Sequence, residues 1–195
     1  MNTRKAIPDR FQGKVALVTG GSSGIGRAIV EELCKEGASV AFTGISEIGV
    51  QTNAELREAG FNVLFCRGDM VDEKFCWSSV DQTVKAFGRI DYLVNNAFSF
   101  IAKGMDATTE DWVRSYTVGP IGYARMVQNV VPFMKQVGGG AIVNMSSISA
   151  FQAQLICRRR PLGRPRSSGI GVSTTNLSLG RATAVRPWSV PMTRQ

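Results

Sequence analysis

The 195-residue chain contains no histidine, and this absence removes several kinds of catalytic site at once. Ser-His-Asp triads, Cys-His dyads and histidine metal sites are excluded. The cysteines are Cys34, Cys66, Cys76 and Cys157, and they form no C-x-x-C pair, so zinc-ribbon and thioredoxin-like sites are excluded and no metal is predicted. Their scatter through apolar segments is typical of reduced, buried thiols, which favours a cytoplasmic location.

Acidic residues are missing from residues 155–195, which hold eight arginines and no Lys, Asp or Glu. Residues 1–154 hold 15 basic and 15 acidic side chains, so the net charge of +8 belongs to the last 41 residues. Such a segment could contact polyanions. It has no interleaved aromatic residues apart from Trp188 and no nucleic-acid fold signature, so no specific nucleic-acid partner is predicted. No apolar run approaches the roughly 18 residues of a membrane span, and no membrane partner is predicted.

Short apolar runs alternate with longer amphipathic stretches through residues 1–154. The pattern predicts strands at 14–18, 39–43, 62–66, 91–94 and 141–145, and helices at 24–36, 47–59, 72–87 and from 108 or 109 onward with an interruption near Pro120. The first helix is predicted to turn Ile25, Ala28, Ile29 and Leu33 inward. Alternation of this kind implies parallel strands joined by right-handed crossovers. We therefore predict an α/β, Rossmann-like doubly wound parallel sheet, truncated after about five strands, with ligands bound beyond the carboxyl ends of its strands.

A glycine-rich loop, Thr19-Gly20-Gly21-Ser22-Ser23-Gly24-Ile25-Gly26, lies between the first predicted strand and its helix. Glycines at positions 20, 24 and 26 suit a tight turn, close approach of a pyrophosphate and close contact between helix and strand. The helix N-terminus offers unpaired N–H groups and the positive end of a dipole to phosphates. A Gly-rich turn without a ligand is the alternative interpretation.

This loop resembles the T-G-x-x-x-G-x-G loop of the short-chain dehydrogenase/reductase family, and three further motifs agree with it. Asp69 matches the family's Asp that contacts adenine, Asn95-Asn96-Ala97 resembles N-N-A-G with Phe98 in place of the glycine, and the strand before Ser147 resembles the one that delivers the catalytic serine. The resemblance covers about residues 10–154. It implies an NAD(P)-binding domain over residues 1–154 and hydride transfer between a nicotinamide and a small-molecule carbonyl or alcohol. The implied cofactor contacts are Gly20, Ser22, Ser23, Gly24, Ile25, Gly26, Gly44, Asp69, Met70, Asn96 and Ala97.

The chain departs from the family where proton transfer is carried out. The family's Tyr-x-x-x-Lys should follow about 13 residues after the serine, but Arg160 and Arg164 stand there, and residues 148–195 contain no Tyr or Lys. Gly119 stands where the tetrad asparagine should be, so only Ser147 of the tetrad remains. An arginine stays protonated and cannot replace the tyrosine. We expect an oxidoreductase that is impaired or inactive, or alternatively a non-catalytic dinucleotide-binding isoform or regulatory fragment.

Cofactor preference is open between NAD and NADP. The second strand is followed by Gly44, Ile45 and Ser46, and none of these is the acidic residue that selects NAD. A basic residue in the glycine loop would favour NADP, but Ser23 occupies that position. Because Gly44 provides no anion that would repel a 2′-phosphate, the sequence slightly favours NADP.

Residues 155–195 are expected to form a disordered, Arg/Pro/Ser/Gly-rich tail. A shifted reading frame or alternative exon after about Gln154, a polyanion-binding tail and a solvated tail without a role all remain open. A sheet that ends at its fifth strand would expose a buried edge, and we expect poor solubility and an incomplete homo-oligomer interface.

Overall fold

The computed structural model describes residues 6–101, 103 and 106–147, and the backbone of residues 170–177. Strands and helices alternate through the first 147 residues, as the sequence predicts. They are β1 (Val15–Val18), α1 (Gly24–Lys35), β2 (Ser39–Gly44), α2 (Ile48–Glu58), β3 (Val63–Arg67), α3 (Glu73–Phe87), β4 (Tyr92–Asn95), α4 (Thr109–Tyr116), α5 (Gly122–Gln136), β5 (Gly140–Ser147) and β6 (Ile170–Leu177).

The strands form one sheet in the order β3-β2-β1-β4-β5-β6, and the first five are parallel. The predicted doubly wound parallel sheet is confirmed. Strand order reverses at β1, where Val18 pairs with Phe42 of β2 on one side and with Val94 of β4 on the other. A crevice therefore opens beyond the carboxyl ends of β1 and β4, which is where such sheets bind ligands.

Helices cover both faces of the sheet, and β1 is buried along its whole length. Leu17 belongs to the core beneath α3 and α5, whereas its neighbours Ala16 and Val18 belong to the core beneath α1 and α2. Side chains alternate between the two faces of a strand, so both faces of β1 must be apolar. This explains why the strand reads as an unbroken apolar run.

The inward face of helix α1 is shifted from the predicted one. Gly26, Val30 and Cys34 are its buried residues. Of the residues predicted to face inward, Ile29 and Leu33 are partly buried against the same core, whereas Ile25 is 45% exposed. Apolar side chains occur on more than one side of this helix, so the apolar pattern alone would allow either side to face inward. The close fit of Gly26 against the glycine loop, described below, selects the observed inward face.

The interruption predicted near Pro120 is confirmed. Helix α4 begins with a capping box in which Thr108 and Asp111 each accept a backbone N–H, and it passes into a π-helical turn over Thr117–Ile121 before α5. Proline lacks the N–H that would continue the α-helical pattern. The wider turn accommodates it without ending the helix.

Asp91 fastens the amino end of the sheet just before β4. Its side chain is 5% exposed and accepts hydrogen bonds from the backbone N–H of Val15 at 3.0 Å, from Arg89 at 2.6 Å and from Lys14 at 3.2 Å. Burial acts to raise the pKa of this carboxyl, but the bonds from Arg89, Val15 and Lys14 outweigh it and hold the pKa below its usual range.

Strand β6 lies within the segment expected to be disordered, and over residues 170–177 the structure differs from that expectation. It pairs antiparallel with β5, from Ser147 opposite Ile170 to Gly140 opposite Leu177. The open edge of β5 presents unpaired backbone groups, and the β-branched residues of this stretch favour extended structure. The remaining residues predicted as a tail, including Arg160 and Arg164, lie outside the described part of the chain.

Candidate dinucleotide site

The glycine loop between β1 and α1 is fixed to the end of β2. Gly20 has a φ of 66°, a conformation that favours glycine, and its N–H donates to Thr43 Oγ1 at 3.1 Å. The N–H of Gly21 donates to the carbonyl oxygen of Thr43 at 2.9 Å. Because both bonds end on one residue, Thr43 determines how the chain turns from β1 toward α1.

Gly26 allows the first turn of α1 to lie directly against this loop. A Cβ atom at position 26 would stand 2.1 Å from the Gly20 carbonyl oxygen and 2.5 Å from Asn96 Nδ2. Those distances are far inside van der Waals contact, so only glycine fits. The residue therefore serves contact between the helix and the loop, whereas the glycine spacing predicts contact between the helix and the strand.

Asn96 joins the loop to the end of β4. Its Nδ2 donates to the carbonyl oxygens of Thr19 at 3.0 Å and Gly20 at 3.1 Å. In return Thr19 Oγ1, which is buried, accepts the backbone N–H groups of Asn96 at 2.9 Å and Ala97 at 3.0 Å. Four hydrogen bonds thus hold together the two strand ends that border the crevice.

The N-terminus of α1 carries no capping side chain of its own. Ser23 occupies the N-cap position in an extended conformation without a side-chain capping bond, and the first turn contains no acidic residue. The backbone N–H groups of this turn lack intrahelical acceptors, and the helix dipole places partial positive charge there. An anionic ligand group is the natural partner of this arrangement.

A cleft of about 340 Å³ lies beyond the carboxyl ends of the strands at this point. Eight of the residues predicted to contact a cofactor line it, namely Gly20, Ser22, Ser23, Gly44, Asp69, Met70, Asn96 and Ala97. The other three, Gly24, Ile25 and Gly26, form the first turn of α1 beside it. Ser147 stands exposed at the end of β5 and is not among these lining residues.

Asp69 lies at the β3 side of the cleft, and Arg114 of α4 holds it there. Asp69 Oδ1 accepts the N–H of Val71 at 3.0 Å, and Oδ2 accepts from Arg114 Nη2 at 2.8 Å. Burial acts to raise the pKa of Asp69, but these two hydrogen bonds and the guanidinium charge outweigh it and lower the pKa. The carboxyl is therefore ionised at neutral pH.

Sequence reasoning did not single out Thr43 and Arg114, although both line the cleft. Each acts through a partner that is distant in the chain, so no local motif could have identified it. Thr19, the first residue of the glycine-loop motif, was omitted from the predicted contacts. Its motif position was the available signal for its importance.

Two departures from the family pattern meet in space. Phe98, which replaces the glycine of N-N-A-G, lies beside Gly119, which replaces the asparagine. A Cβ atom at position 119 would stand 3.3 Å from Phe98 Cδ2 and 3.4 Å from its Cε2. The Phe98 ring also lines the cleft and is 59% exposed.

Fold and strand order define a Rossmann-like α/β protein, and comparison with known proteins identifies its family. The family model for short chain dehydrogenase matches residues 14–157. The chain belongs to the short-chain dehydrogenase family.

Individual relatives agree with this assignment. The chain is 39% identical over 148 residues to the NADP-dependent (R)-specific alcohol dehydrogenase of Lentilactobacillus kefiri, a match that covers 74% of this chain and 58% of that protein. An uncharacterised oxidoreductase of Thermotoga maritima is 38% identical over 178 residues, covering 90% of this chain and 66% of that protein, so this match continues past residue 154. A solved structure of 7α-hydroxysteroid dehydrogenase complexed with NADH and 7-oxo glycochenodeoxycholic acid is 30% identical, with a TM-score of 0.70, over 74% of this chain and 57% of that one.

The chain spans about half the length of the first curated relatives it matches, between 50 and 58%. Within the described ranges, no helix is long and apolar enough to cross a membrane. Among the same residues, no three Cys, Asp or Glu side chains are grouped so that they could hold a metal ion.

Proposed function

We propose that this chain binds NAD or NADP in the cleft beyond β1 and β4, and that it is impaired in the hydride-transfer reaction of its family. The observation that carries the proposal is the glycine loop, because Gly26 permits contact between α1 and the loop that no other residue would allow. The uncapped N-terminus of α1 opens onto the same cleft. Relatives named for NADP or solved with NADH support this assignment.

Each part of the cleft suits one part of a dinucleotide. The first turn of α1 would hold the pyrophosphate, since its free N–H groups and dipole attract anions. Asp69, ionised and fixed by Arg114, would accept a hydrogen bond from the adenine amino group. When bound, the nicotinamide supplies or accepts a hydride, and the expected substrates are small carbonyl or alcohol compounds.

Proton transfer is the step that the chain lacks. Tyr123 contacts β5 near its end, where its hydroxyl donates to the Met145 carbonyl oxygen at 3.5 Å. Burial raises the pKa of Tyr123 to about 12, whereas a general acid or base works best with a pKa near the operating pH. Tyr123 is therefore a poor substitute, and Ser147 alone cannot supply the proton.

NADP is the cofactor that we favour. Gly44 ends β2 without an acidic side chain, and it lies in register with Arg67 of β3. A Cβ atom at position 44 would stand 2.6 Å from Ser22 Oγ, so packing as well as specificity accounts for this glycine. Arg67 pairs with the exposed carboxylate of Glu47, and its place beside Gly44 in the sheet makes it our candidate for contact with a 2′-phosphate.

Calorimetric titration of the full chain with NADH and with NADPH tests the proposed cofactor binding, and a reductase assay tests the proposed impairment. We expect binding of both and tighter binding of NADPH, with Arg67→Gln removing the difference and leaving NADH affinity unchanged. A reductase assay with model ketones should give no turnover above the uncatalysed rate. Absence of binding would contradict the first proposal, and measurable turnover would contradict the second. The cytoplasmic location and the incomplete oligomer interface stay predictions.

A further inference from the structure

Phe98 and Gly119 differ from the family pattern, and neither has a role in the function proposed above. They come from different elements, since Phe98 follows β4 and Gly119 lies in the π-helical turn Thr117–Ile121. A phenylalanine in place of a cleft glycine would ordinarily narrow the cleft. Here the ring lies over the one position of the turn that has no side chain.

The contact is close enough to make the two positions dependent on each other. With a Cβ atom at position 119 only 3.3 Å and 3.4 Å from two ring carbons, even alanine would press against the ring, and a longer side chain would displace it. Gly119 therefore sets where the Phe98 ring can lie. Phe98 is among the residues that line the cleft, and 59% of the residue is exposed.

Position in the sheet assigns the ring to one half of the cleft. Dinucleotides lie across the point where strand order reverses, with one nucleotide on each side. Gly44 and Asp69 belong to the β2–β3 side, which the proposed function gives to adenosine. Phe98 belongs to the β4 side, where the second nucleotide would lie.

Resting on that proposed function, we infer that Phe98 is a ligand-contacting residue that stacks on the nicotinamide ring of the bound cofactor, and that Gly119 is its positioning residue. A planar heteroaromatic ring against a phenyl ring is a favourable offset arrangement. The exposed face of Phe98 has no other partner among the aromatic contacts of the described residues. Nicotinamide-containing ligands should therefore bind more tightly than the same ligand cut off at the second ribose.

Calorimetric titration of the full chain with NADH and with ADP-ribose, which lacks nicotinamide, tests this assignment. Phe98→Leu keeps an apolar side chain but removes the ring, and it should weaken NADH binding by roughly 2- to 12-fold, the range of an aromatic pair beyond area burial. Binding of ADP-ribose should stay unchanged. Phe100→Leu is the matched control, because Phe100 is an 80% exposed aromatic two residues away that does not line the cleft, and it should alter neither ligand.

Gly119→Ala tests the positioning role through coupling. Alone it should weaken NADH binding selectively, and in Phe98→Leu it should cause no further loss, since no ring is left to displace. Equal loss of both ligands with a lower melting temperature would mean that position 119 is merely structural and would overturn the positioning role. NADH binding by Phe98→Leu that is unchanged or tighter would overturn the stacking, while failure of the unmutated chain to bind either ligand would instead refute the proposed function.

Discussion

The substitution Gly26→Ala tests whether the steric fit of residue 26 against the glycine loop outweighs the helix propensity of alanine. Alanine is favoured over glycine inside a helix by about 1 kcal/mol, so propensity alone predicts a more stable protein. The added methyl would stand 2.1 Å from the Gly20 carbonyl oxygen, and overpacking of this kind costs about 1–3 kcal/mol. If α1 moves outward to relieve the contact, the two bonds from Asn96 Nδ2 are weakened, at about 1 kcal/mol each.

We therefore expect Gly26→Ala to lower the free energy of unfolding by about 2 kcal/mol. For a chain of this size that corresponds to a fall in Tm of roughly 4–8 °C. NADPH binding should be lost as well, because the displaced turn no longer directs its N–H groups into the cleft. Melting followed by circular dichroism and titration calorimetry measure the two effects.

Gly88→Ala is the matched control for this substitution. Gly88 ends α3 with a φ of 76° and has open space around its missing side chain, so alanine there adds conformational strain of about 1–2 kcal/mol without a steric clash. It lies at the amino end of the sheet, opposite the cleft, so the variant should melt earlier yet bind NADPH normally. A Gly26→Ala protein that melts and binds like the parent would refute the packing argument.

Four further predictions concern stability and reactivity. Asp91→Ala should cost about 1–3 kcal/mol in urea denaturation because it leaves the buried N–H of Val15 without an acceptor, and a loss below that range would contradict the role assigned to Asp91. Because its pKa is lowered in the folded state, the stabilisation by Asp91 is complete above the ordinary carboxyl pKa and is lost as pH falls through the lowered value, so Asp91→Asn should flatten the acid side of the stability profile. Burial raises the pKa of Cys34 to about 12 and that of Cys66 to about 11, so an aromatic disulfide reagent near neutral pH should modify them only after denaturant is added. Fast labelling of either of these two residues in the native protein would argue against its burial. Thr108→Ala should destabilise by about 1 kcal/mol through loss of the α4 cap, with Thr108→Asp retaining most of the stability in the same melting experiment.

Much of the fold could be predicted because its signals are local. An apolar run such as that of β1 predicts a buried strand, and a glycine after a helical pattern predicts the end of that helix. The shifted inward face of α1 was not predicted, because the apolar spacing alone was used to choose that face and it carries no signal for the contact between Gly26 and a carbonyl six residues earlier. Arg114 and Thr43 were missed for the same reason, because their partners lie 45 and 23 residues away.

Strand β6 was missed for a different reason. The composition of residues 155–195 describes the segment as a whole, and its arginines, prolines and serines outweigh one short stretch of β-branched residues. Pairing with β5 depends on an edge that another part of the chain provides. Average composition therefore cannot reveal a strand whose formation is decided by its neighbour.

The bonds between Asn96 and the glycine loop have a consequence for the order in which the protein becomes functional. They join residues 76 and 77 positions apart. Strand β4, which immediately precedes Asn96, can dock only after β2, β3 and their helices have been synthesised. The loop is therefore not an autonomous phosphate-binding module: a fragment holding only β1, α1 and β2 would carry all its glycines but not the amide that supports them. Capacity to bind a nucleotide should appear late in folding, as a sign that both halves of the sheet have joined, and a bound nucleotide would in turn oppose their separation.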